Sequence, residues 1–200
     1  ASTVKMFNDF DRIVRPNGRV IYNFSYSQYD TELPYRLVMD ICNNTEWTLA
    51  DTIIWKKDNC TPLNVSPRQL SRIWEFVWVF CRKTEKDTFT TNREGEIGEN
   101  GQLYYGSLPN MISAPNNDGC NDLNKATFST RFISQLLNLY VRDGETVYDP
   151  FMGTGTTAVA CKKRGGGISC IGSELSEKQV KFAEDRLKKT VIPKKWFDWE

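Results

Sequence analysis

The stretch DPFMGTGTTA, residues 149–158, decides the fold that the sequence predicts. A short apolar strand leads into it, and a helix is predicted from Thr156 onward. Gly153 and Gly155 carry no Cβ, so the backbone can turn tightly between strand and helix and come close to a ligand. The free N–H groups at the start of the helix point to the same place. This strand–turn–helix unit predicts a ligand site at the carboxyl edge of a sheet. We expect that a side chain introduced at Gly155 would occupy the space of the ligand.

Strands and helices alternate on both sides of this turn. Apolar residues at helical spacing predict a helix over 132–141, and Ile168 to Gly172 is the next predicted strand. Ser176 and Gln179 have the spacing of a capping box at the start of a last helix. The order of strands and helices predicts an α/β fold with parallel strands in a doubly wound, Rossmann-like sheet.

The chain before this region divides into two parts by composition. Residues 83–125 are rich in Asn, Gly, Asp and Thr and only weakly periodic, which predicts a loop-rich insertion. The elements predicted before the insertion are a helix within 7–18 that ends in a turn at 15–18, a helix over 35–43, and strands over 19–26, 47–56 and 75–82.

The composition argues against several functional classes. The formal net charge is +1, so any attraction to nucleic acid must come from local patches. There is no histidine and the six cysteines show no CxxC spacing, which argues against a zinc site and against histidine-based catalysis. We expect the cysteines to be reduced and partly buried. We find neither a secretory signal nor an apolar run of about 18 residues, so we expect a cytoplasmic protein without membrane spans.

An acidic residue follows the glycine turn at a spacing that suits a nucleoside cofactor. Glu174 lies 19 residues beyond Gly155, where its carboxylate can accept two hydrogen bonds from a ribose diol. Gly153, Gly155 and Ala158 also fit the G-x-G-x-x-A pattern of dinucleotide enzymes. The carboxylate of Asp149 is unfavourable beside a pyrophosphate and suits the cationic methionine portion of S-adenosylmethionine. We therefore favour S-adenosylmethionine over a dinucleotide and over a tight turn without a ligand.

Six segments share one known sequence pattern. DPFMGTGTTAVA (149–160) and CIGSELSEKQVKFAEDRL (170–187) match DPF-x-G-(S/T)-G-T-T, then an I-G-x-E strand end and a helix ending in R-L. With four further segments they resemble the DNA methyltransferases that modify adenine N6 or cytosine N4, in the order of that family's permuted β group. The four are RIVRPNGRVIYNFSY, DTIIWKKDNCTP, IWEFVWVFCRK and ATFSTRFISQLL, at residues 12–26, 51–62, 73–83 and 126–137.

The resemblance implies S-adenosylmethionine as cofactor and a set of residues that bind it. At residues 124–129 the chain has NKATFS where the family usually has H-P-A-x-F-P, a segment that contacts the methionine end of the cofactor. The implied cofactor-binding residues are Asp149, Phe151, Gly153, Gly155, Thr156 and Glu174, with Phe128 and Thr130 at the methionine end.

The family's catalytic tetrapeptide, (D/N/S)-P-P-(Y/W/F), has no counterpart here. In the family, its first side chain and the carbonyl between the prolines hold the exocyclic amine, and its ring stacks on the flipped base. The sequence contains no Pro-Pro pair, and Leu33-Pro34-Tyr35 follows the strand over 19–26, whereas the tetrapeptide should precede that strand. We therefore expect the catalytic residues to come from a missing N-terminal segment or a partner subunit. A non-catalytic remnant that holds S-adenosylmethionine or DNA is the alternative.

The resemblance further implies double-stranded DNA as the partner and divides the chain by role. We expect residues 1–82 to form the substrate-side half of the sheet, with antiparallel strands at its edge, and residues 126–200 the half that binds S-adenosylmethionine. The insertion at 83–125 is the expected target-recognition region, in which Tyr104 and Tyr105 either stack on an extruded base or pack on the surface. Candidate DNA contacts, each with a solvated or structural role as the alternative, are Lys56, Lys57, Arg68 and Arg72.

The reaction that the resemblance implies is methyl transfer to an exocyclic amino group of a DNA base, in a prokaryote or a virus. The amine of the extruded base attacks the sulfonium methyl in line, so no cysteine nucleophile is needed. Because nothing in the chain holds the amine, we expect no methyl transfer by these 200 residues alone.

Overall fold

The computed structural model describes residues 2–25, 29–60, 67, 70–119, 123–124 and 127–192. It divides into two compact units, residues 1–90 with 107–113 and residues 91–106 with 114–200. Both units combine helices and strands, and the predicted α/β class is confirmed. In chain order the elements are α1 (Ser2–Ile13), β1 (Val20–Phe24), α2 (Leu33–Asn44), β2 (Trp47–Lys57), β3 (Trp74–Arg82), a 3-10 helix (Lys83–Thr88), β4 (Gly95–Ile97), β5 (Leu103–Tyr105), β6 (Met111–Ala114), α3 (Thr130–Tyr140), β7 (Thr146–Asp149), α4 (Thr156–Arg164), β8 (Ser169–Gly172) and α5 (Glu177–Lys189).

The sheet of the first unit has the strand order β1-β3-β2-β6. β3 lies antiparallel to both β1 and β2, which confirms the expected antiparallel strands. The side chains from Phe76 to Cys81 are all buried, because β3 is paired on both sides and its apolar run is covered on both faces. Across the β1–β3 pair, Tyr22 lies opposite Trp78 and the two rings stack at 6.3 Å.

Phe7 of α1 is the centre of the aromatic core between this sheet and its helices. Its side chain is fully buried and meets Phe10, Tyr22, Trp47 and Phe80 edge to face, with the closest ring centroid 5.0 Å away at Phe80. The indole N–H of Trp47 donates to the Phe7 carbonyl at 3.0 Å. Such edge-to-face pairs add to the free energy gained by burial, so this cluster holds α1 on the sheet.

The second unit is built around the parallel pair β7–β8, in which Asp149 lies opposite Gly172. Helix α4 connects these two strands and packs against α3 and α5, as a strand–helix–strand unit requires. β4 and β5 form a separate antiparallel hairpin in this unit, and all three residues of β5 are exposed.

The structure refines three local predictions. The first helix, α1, ends at Ile13 before the predicted turn at 15–18, which is closed by the Gly18 N–H on the Arg15 carbonyl. The loop-rich insertion contains three short strands that were not predicted, β4, β5 and β6, and β6 joins the sheet of the first unit. Ser176 is the N-cap of α5, but the predicted capping box is wrong: the Ser176 side chain makes no capping bond, and its N–H donates to Glu174 rather than to Gln179.

Phe7→Ala should lower the free energy of unfolding by about 3–5 kcal/mol, the usual cost of deleting a buried phenylalanine ring. Ile13→Ala, on the same helix but 47% exposed, is the matched control and should cost less than about 1 kcal/mol. Urea unfolding of both variants, followed by circular dichroism, checks the difference. Equal midpoints for the two variants would contradict the central place of Phe7 in the core.

Candidate cofactor site

The carboxylate of Glu174 joins the two loops that follow β7 and β8. Its Oε2 accepts the Gly153 N–H at 2.9 Å, and its Oε1 accepts the Ser176 N–H at 2.9 Å. The amide of Gln179 lies 3.5 Å from the same Oε1, and Asn124 donates to Gln179 at 3.1 Å. Each carboxylate oxygen has two lone pairs, so the group can still accept hydrogen bonds from a ligand.

Backbone hydrogen bonds continue the β7–β8 pairing beyond the ends of the strands. The Ser173 N–H donates to the Asp149 carbonyl at 2.9 Å, and the Met152 N–H donates to the Ser173 carbonyl at 3.0 Å. The side chain of Asp149 accepts the Phe151 N–H at 3.0 Å. Asp149 and Glu174 are thus held by backbone groups at the same carboxyl edge, which is where doubly wound sheets bind ligands.

The two glycines of the turn serve different purposes. Gly153 has φ +54° and is buried, and a Cβ there would lie 3.4 Å from the Asn124 side chain and 3.5 Å from the Gln179 side chain, which is ordinary van der Waals contact. Gly155 has φ +80°, and a Cβ there would lie 2.7 Å from the Ala183 Cβ of α5. The expectation that a side chain at Gly155 occupies ligand space is therefore wrong, because that position faces the packed helix.

Two apolar side chains beside these carboxylates are open to solvent. Phe151 is 74% exposed, and Leu175, which directly follows Glu174, is fully exposed. Large apolar residues that are exposed beside a candidate site indicate a contact surface. The hydroxyl of Thr154, in the glycine turn, and that of Thr127 are buried and lack a hydrogen-bond partner in the described part of the chain. Buried polar atoms usually have partners, so these two hydroxyls are exceptions.

Backbone N–H groups at the start of α3 have hydrogen-bond acceptors within the protein. The Ser129 side chain accepts the Phe132 N–H at 3.3 Å, and the ring of Phe128 packs at 5.6 Å from that of Phe132. The carboxylate of Asp118 accepts the Thr130 N–H at 2.9 Å and the Thr130 hydroxyl at 3.3 Å. Phe128 and Thr130 thus have structural partners here, and their contact with a cofactor stays a prediction.

Thr156 and four residues that the sequence analysis did not single out form contacts in and around the turn. The Thr156 hydroxyl is buried and accepts a bond from Arg186 at 3.0 Å. Gly172 makes room for Met152, since a Cβ at Gly172 would lie 2.3 Å from the Met152 sulfur. Arg186 matches the R-L end of the family pattern, and this match could have identified it from the sequence. Asp118 lies in an irregular loop, where no sequence pattern could have identified it.

The candidate DNA contacts are separate from this site in the sequence and differ in their surroundings. Lys56 is exposed near the end of β2, while the ammonium of Lys57 forms an ion pair with Glu75 and lies 5.0 Å from the Trp55 ring centroid. Arg72 is partly buried in an irregular segment before β3, and Arg68 lies outside the described residues. Tyr104 and Tyr105 are both about half exposed on the β4–β5 hairpin, which leaves either predicted role open.

Cys161 and Cys170 share a thiol–thiol hydrogen bond between α4 and β8. This bond, together with burial, raises the pKa of Cys161, so its thiol stays protonated and packs as a small apolar group. Among the described residues no three Cys, Asp or Glu side chains come together as a metal-binding group would require. In that same part of the chain, none of the helices has both the length and the apolar character needed to cross a bilayer.

The carboxylates of Asp149 and Glu174 and the glycine turn between them form a candidate ligand site in an α/β domain. The sequence profile of the N6/N4 DNA methylase family matches residues 2–185, and the chain belongs to that family. The resemblance drawn from the sequence is confirmed.

The relatives of the chain include type II methyltransferases. M.XycI of Xanthomonas campestris pv. cyanopsidis is 29% identical over 78% of this chain and 49% of its own length. M.SmaI of Serratia marcescens is 28% identical over 78% of this chain and 51% of its own length. The chain thus spans about half the length of the curated relatives it matches.

Solved structures share the fold at low sequence identity. The cytosine-N4-specific PvuII DNA methyltransferase superposes with a TM-score of 0.69 at 17% identity, over 95% of this chain and 72% of that one. The M1.HpyAVI–SAM complex superposes with a TM-score of 0.67 at 24% identity, over 92% of this chain and 81% of that one.

Gly155→Ala should lower the free energy of unfolding by the sum of two costs. The positive φ costs about 1–2 kcal/mol and the overlap with Ala183 a further 1–3 kcal/mol or so. Gly144→Ala is the matched control, because Gly144 has φ +78° and a Cβ there would meet nothing within 4 Å. Thermal unfolding should rank Gly155→Ala well below Gly144→Ala, and Ala183→Gly in the same chain should recover part of the difference. Identical losses at the two glycines would show that Gly155 is not packed against α5.

Proposed function

We propose that the chain is the cofactor-binding part of an S-adenosylmethionine-dependent methyltransferase that modifies an exocyclic amino group, adenine N6 or cytosine N4, in double-stranded DNA. The observation that carries the proposal is the pair of carboxylates, Asp149 and Glu174, held at one sheet edge beside the glycine turn. Membership of the DNA methylase family supports it. A cytoplasmic location is part of the proposal, because that is where a prokaryotic or viral enzyme meets DNA.

The residues at this edge fit S-adenosylmethionine by their chemistry. Glu174 retains lone pairs for a ribose diol, and the negative charge of Asp149 suits a cationic amino acid portion. Phe151 and Leu175 offer exposed apolar surface for a nucleobase, and Gly153 lets the backbone approach closely. A dinucleotide fits less well, because its pyrophosphate would meet the carboxylate of Asp149.

Each side chain of the proposed site then has a defined role. Bound there, S-adenosylmethionine supplies a methyl group on a positively charged sulfur. Glu174 orients the ribose, Phe151 and Leu175 exclude water from the base, and Asp149 favours the positive charge. Orientation of this kind contributes much of a methyltransferase's rate, because a misplacement of about 1 Å can cost a hundredfold.

We propose that another segment or a partner subunit supplies the acceptor side, with the (D/N/S)-P-P-(Y/W/F) tetrapeptide on a strand. Within the described residues β1 pairs with β3 alone and β7 with β8 alone, so each strand has one edge free for such a partner. Tyr148 and Ile171 lie opposite each other across β7 and β8 and are 42% and 57% exposed. An exposed apolar pair on a parallel sheet is unusual and supports a further covering element, since such sheets are normally buried on both faces.

The DNA contacts of this chain are proposed from the basic residues that lie before and after the end of β2. Lys56 is exposed, and Arg72 is partly buried in the same unit. Lys57 adds less net attraction, because Glu75 compensates its charge. With a net charge of +1 for the whole chain, DNA binding by these residues should be weak and sensitive to salt.

Glu174→Gln should weaken binding of S-adenosylhomocysteine about tenfold or more, because the ribose loses hydrogen bonds to a charged acceptor. Glu177→Gln removes the same charge from the exposed first turn of α5 and should leave affinity unchanged. Isothermal titration calorimetry measures both variants, and NAD should not compete in either.

The 2′,3′-dideoxy analogue of S-adenosylhomocysteine separates a ribose contact from a general loss of loop structure. The unaltered chain should prefer the ribose form, and Glu174→Gln should lose most of that preference. Equal weakening of both ligands would place the role of Glu174 in the loop alone and would refute the ribose contact.

Tritium-methyl transfer to mixed-sequence DNA tests the acceptor side. The chain alone should give only background incorporation, since nothing in it holds the amine, and a companion segment or subunit with the tetrapeptide should restore transfer. Replacing the first residue and the aromatic residue of that tetrapeptide by Ala should abolish the restored activity. Robust methylation by the chain alone would contradict the proposal, and no restoration by any such segment would favour the non-catalytic remnant.

A further inference from the structure

A partly buried ion pair is connected to the glycine turn by hydrogen bonds. The guanidinium of Arg186, on α5, meets the carboxylate of Asp118 at 2.6 Å. Their side chains are only 15% and 26% exposed. Asp118 belongs to the insertion at 83–125, so the pair joins that insertion to the last helix within the second unit.

Arg186 also holds the glycine turn itself. Its Nη1 donates to the Thr156 hydroxyl at 3.0 Å and lies 3.4 Å from the Thr154 carbonyl. Both threonines are buried, and each directly follows one of the two glycines. The planar guanidinium can serve the turn with one nitrogen and Asp118 with the other, which a lysine ammonium cannot do with the same geometry.

Asp118 in turn holds the start of α3. One carboxylate oxygen accepts the Thr130 N–H at 2.9 Å and the other accepts it at 3.1 Å. The negative charge is favourable at this helix N-terminus. Through Asp118 and Arg186, the insertion, the glycine turn and the start of α3 therefore share one hydrogen-bonded network.

We propose that Arg186 and Asp118 are positioning residues that keep the glycine turn in the shape its cofactor needs, so that the end of the insertion contributes to cofactor affinity without contact with the cofactor. This rests on the proposed function, because it takes the turn as the S-adenosylmethionine site. Charge-assisted bonds in a partly buried place are among the stronger hydrogen bonds, which makes the pair suited to fixing a turn.

The test is calorimetric affinity for S-adenosylhomocysteine, measured well below each variant's unfolding temperature. Arg186→Met should weaken binding about tenfold, the ratio that corresponds to one hydrogen bond to a charged group. Lys188→Met is the matched control on the same helix, since Lys188 forms only an exposed pair with Asp185, and it should bind as the unaltered chain does. A purely structural role for Arg186 would lower the unfolding temperature and leave the affinity of the folded protein unchanged.

Two milder variants keep the test decisive if Arg186→Met folds poorly. Asp118→Asn retains an acceptor for the Thr130 N–H and should weaken binding about threefold, because a neutral bond replaces a charge-assisted one. Arg186→Lys keeps the charge and should bind between the unaltered chain and Arg186→Met. Added to Arg186→Met, Asp118→Asn should change affinity by less than about twofold, as expected for two residues that act through one contact.

The outcomes separate this inference from the function it rests on. Unchanged affinity in Arg186→Met and Asp118→Asn, or fully additive losses in the double variant, would overturn the positioning role. If Glu174→Gln loses affinity at the same time, the cofactor site itself stands. No binding of S-adenosylhomocysteine by the unaltered chain would overturn both.

Discussion

The carboxylate of Glu174 is the group on which the proposed cofactor site of the second unit depends. Its two oxygens accept one N–H from the glycine turn, at Gly153, and one from the start of α5, at Ser176. Both N–H groups need a partner, and a carboxylate provides it while lone pairs stay free for a ligand. One side chain thus closes the turn, starts the helix and carries the charge around which the proposed cofactor site is built.

The glycine turn has an exposed neighbour and a packed side. The ring of Phe151, two residues before Gly153, is exposed. On the packed side, Gly155 touches Ala183 closely, and Arg186 bonds the turn from α5. A loop that binds a ligand works best on a rigid support, and here α5 supplies that support.

Much of this arrangement could be predicted from local sequence. The strand ending at Asp149, the turn with its two glycines and the carboxylate at Glu174 follow from spacing alone, because each is a local feature of a strand–turn–helix unit. The predicted capping box at Ser176 does not form, because the Ser176 N–H donates to the charged carboxylate of Glu174, two residues earlier, and not to Gln179. Contacts between distant segments, such as Gly155 with Ala183, leave no periodic signal. The four-residue strand β6 is too short for a strand pattern to stand out.

The most direct measurement is a crystal structure of the chain with S-adenosylhomocysteine. The account predicts both ribose hydroxyls within about 2.6–3.0 Å of the Glu174 carboxylate, as charge-assisted hydrogen bonds require, and the adenine ring between Phe151 and Leu175. The Gly153 N–H should remain bonded to Glu174 or turn to the ligand. A ligand bound at another edge, or one whose ribose makes no contact with Glu174, would contradict it.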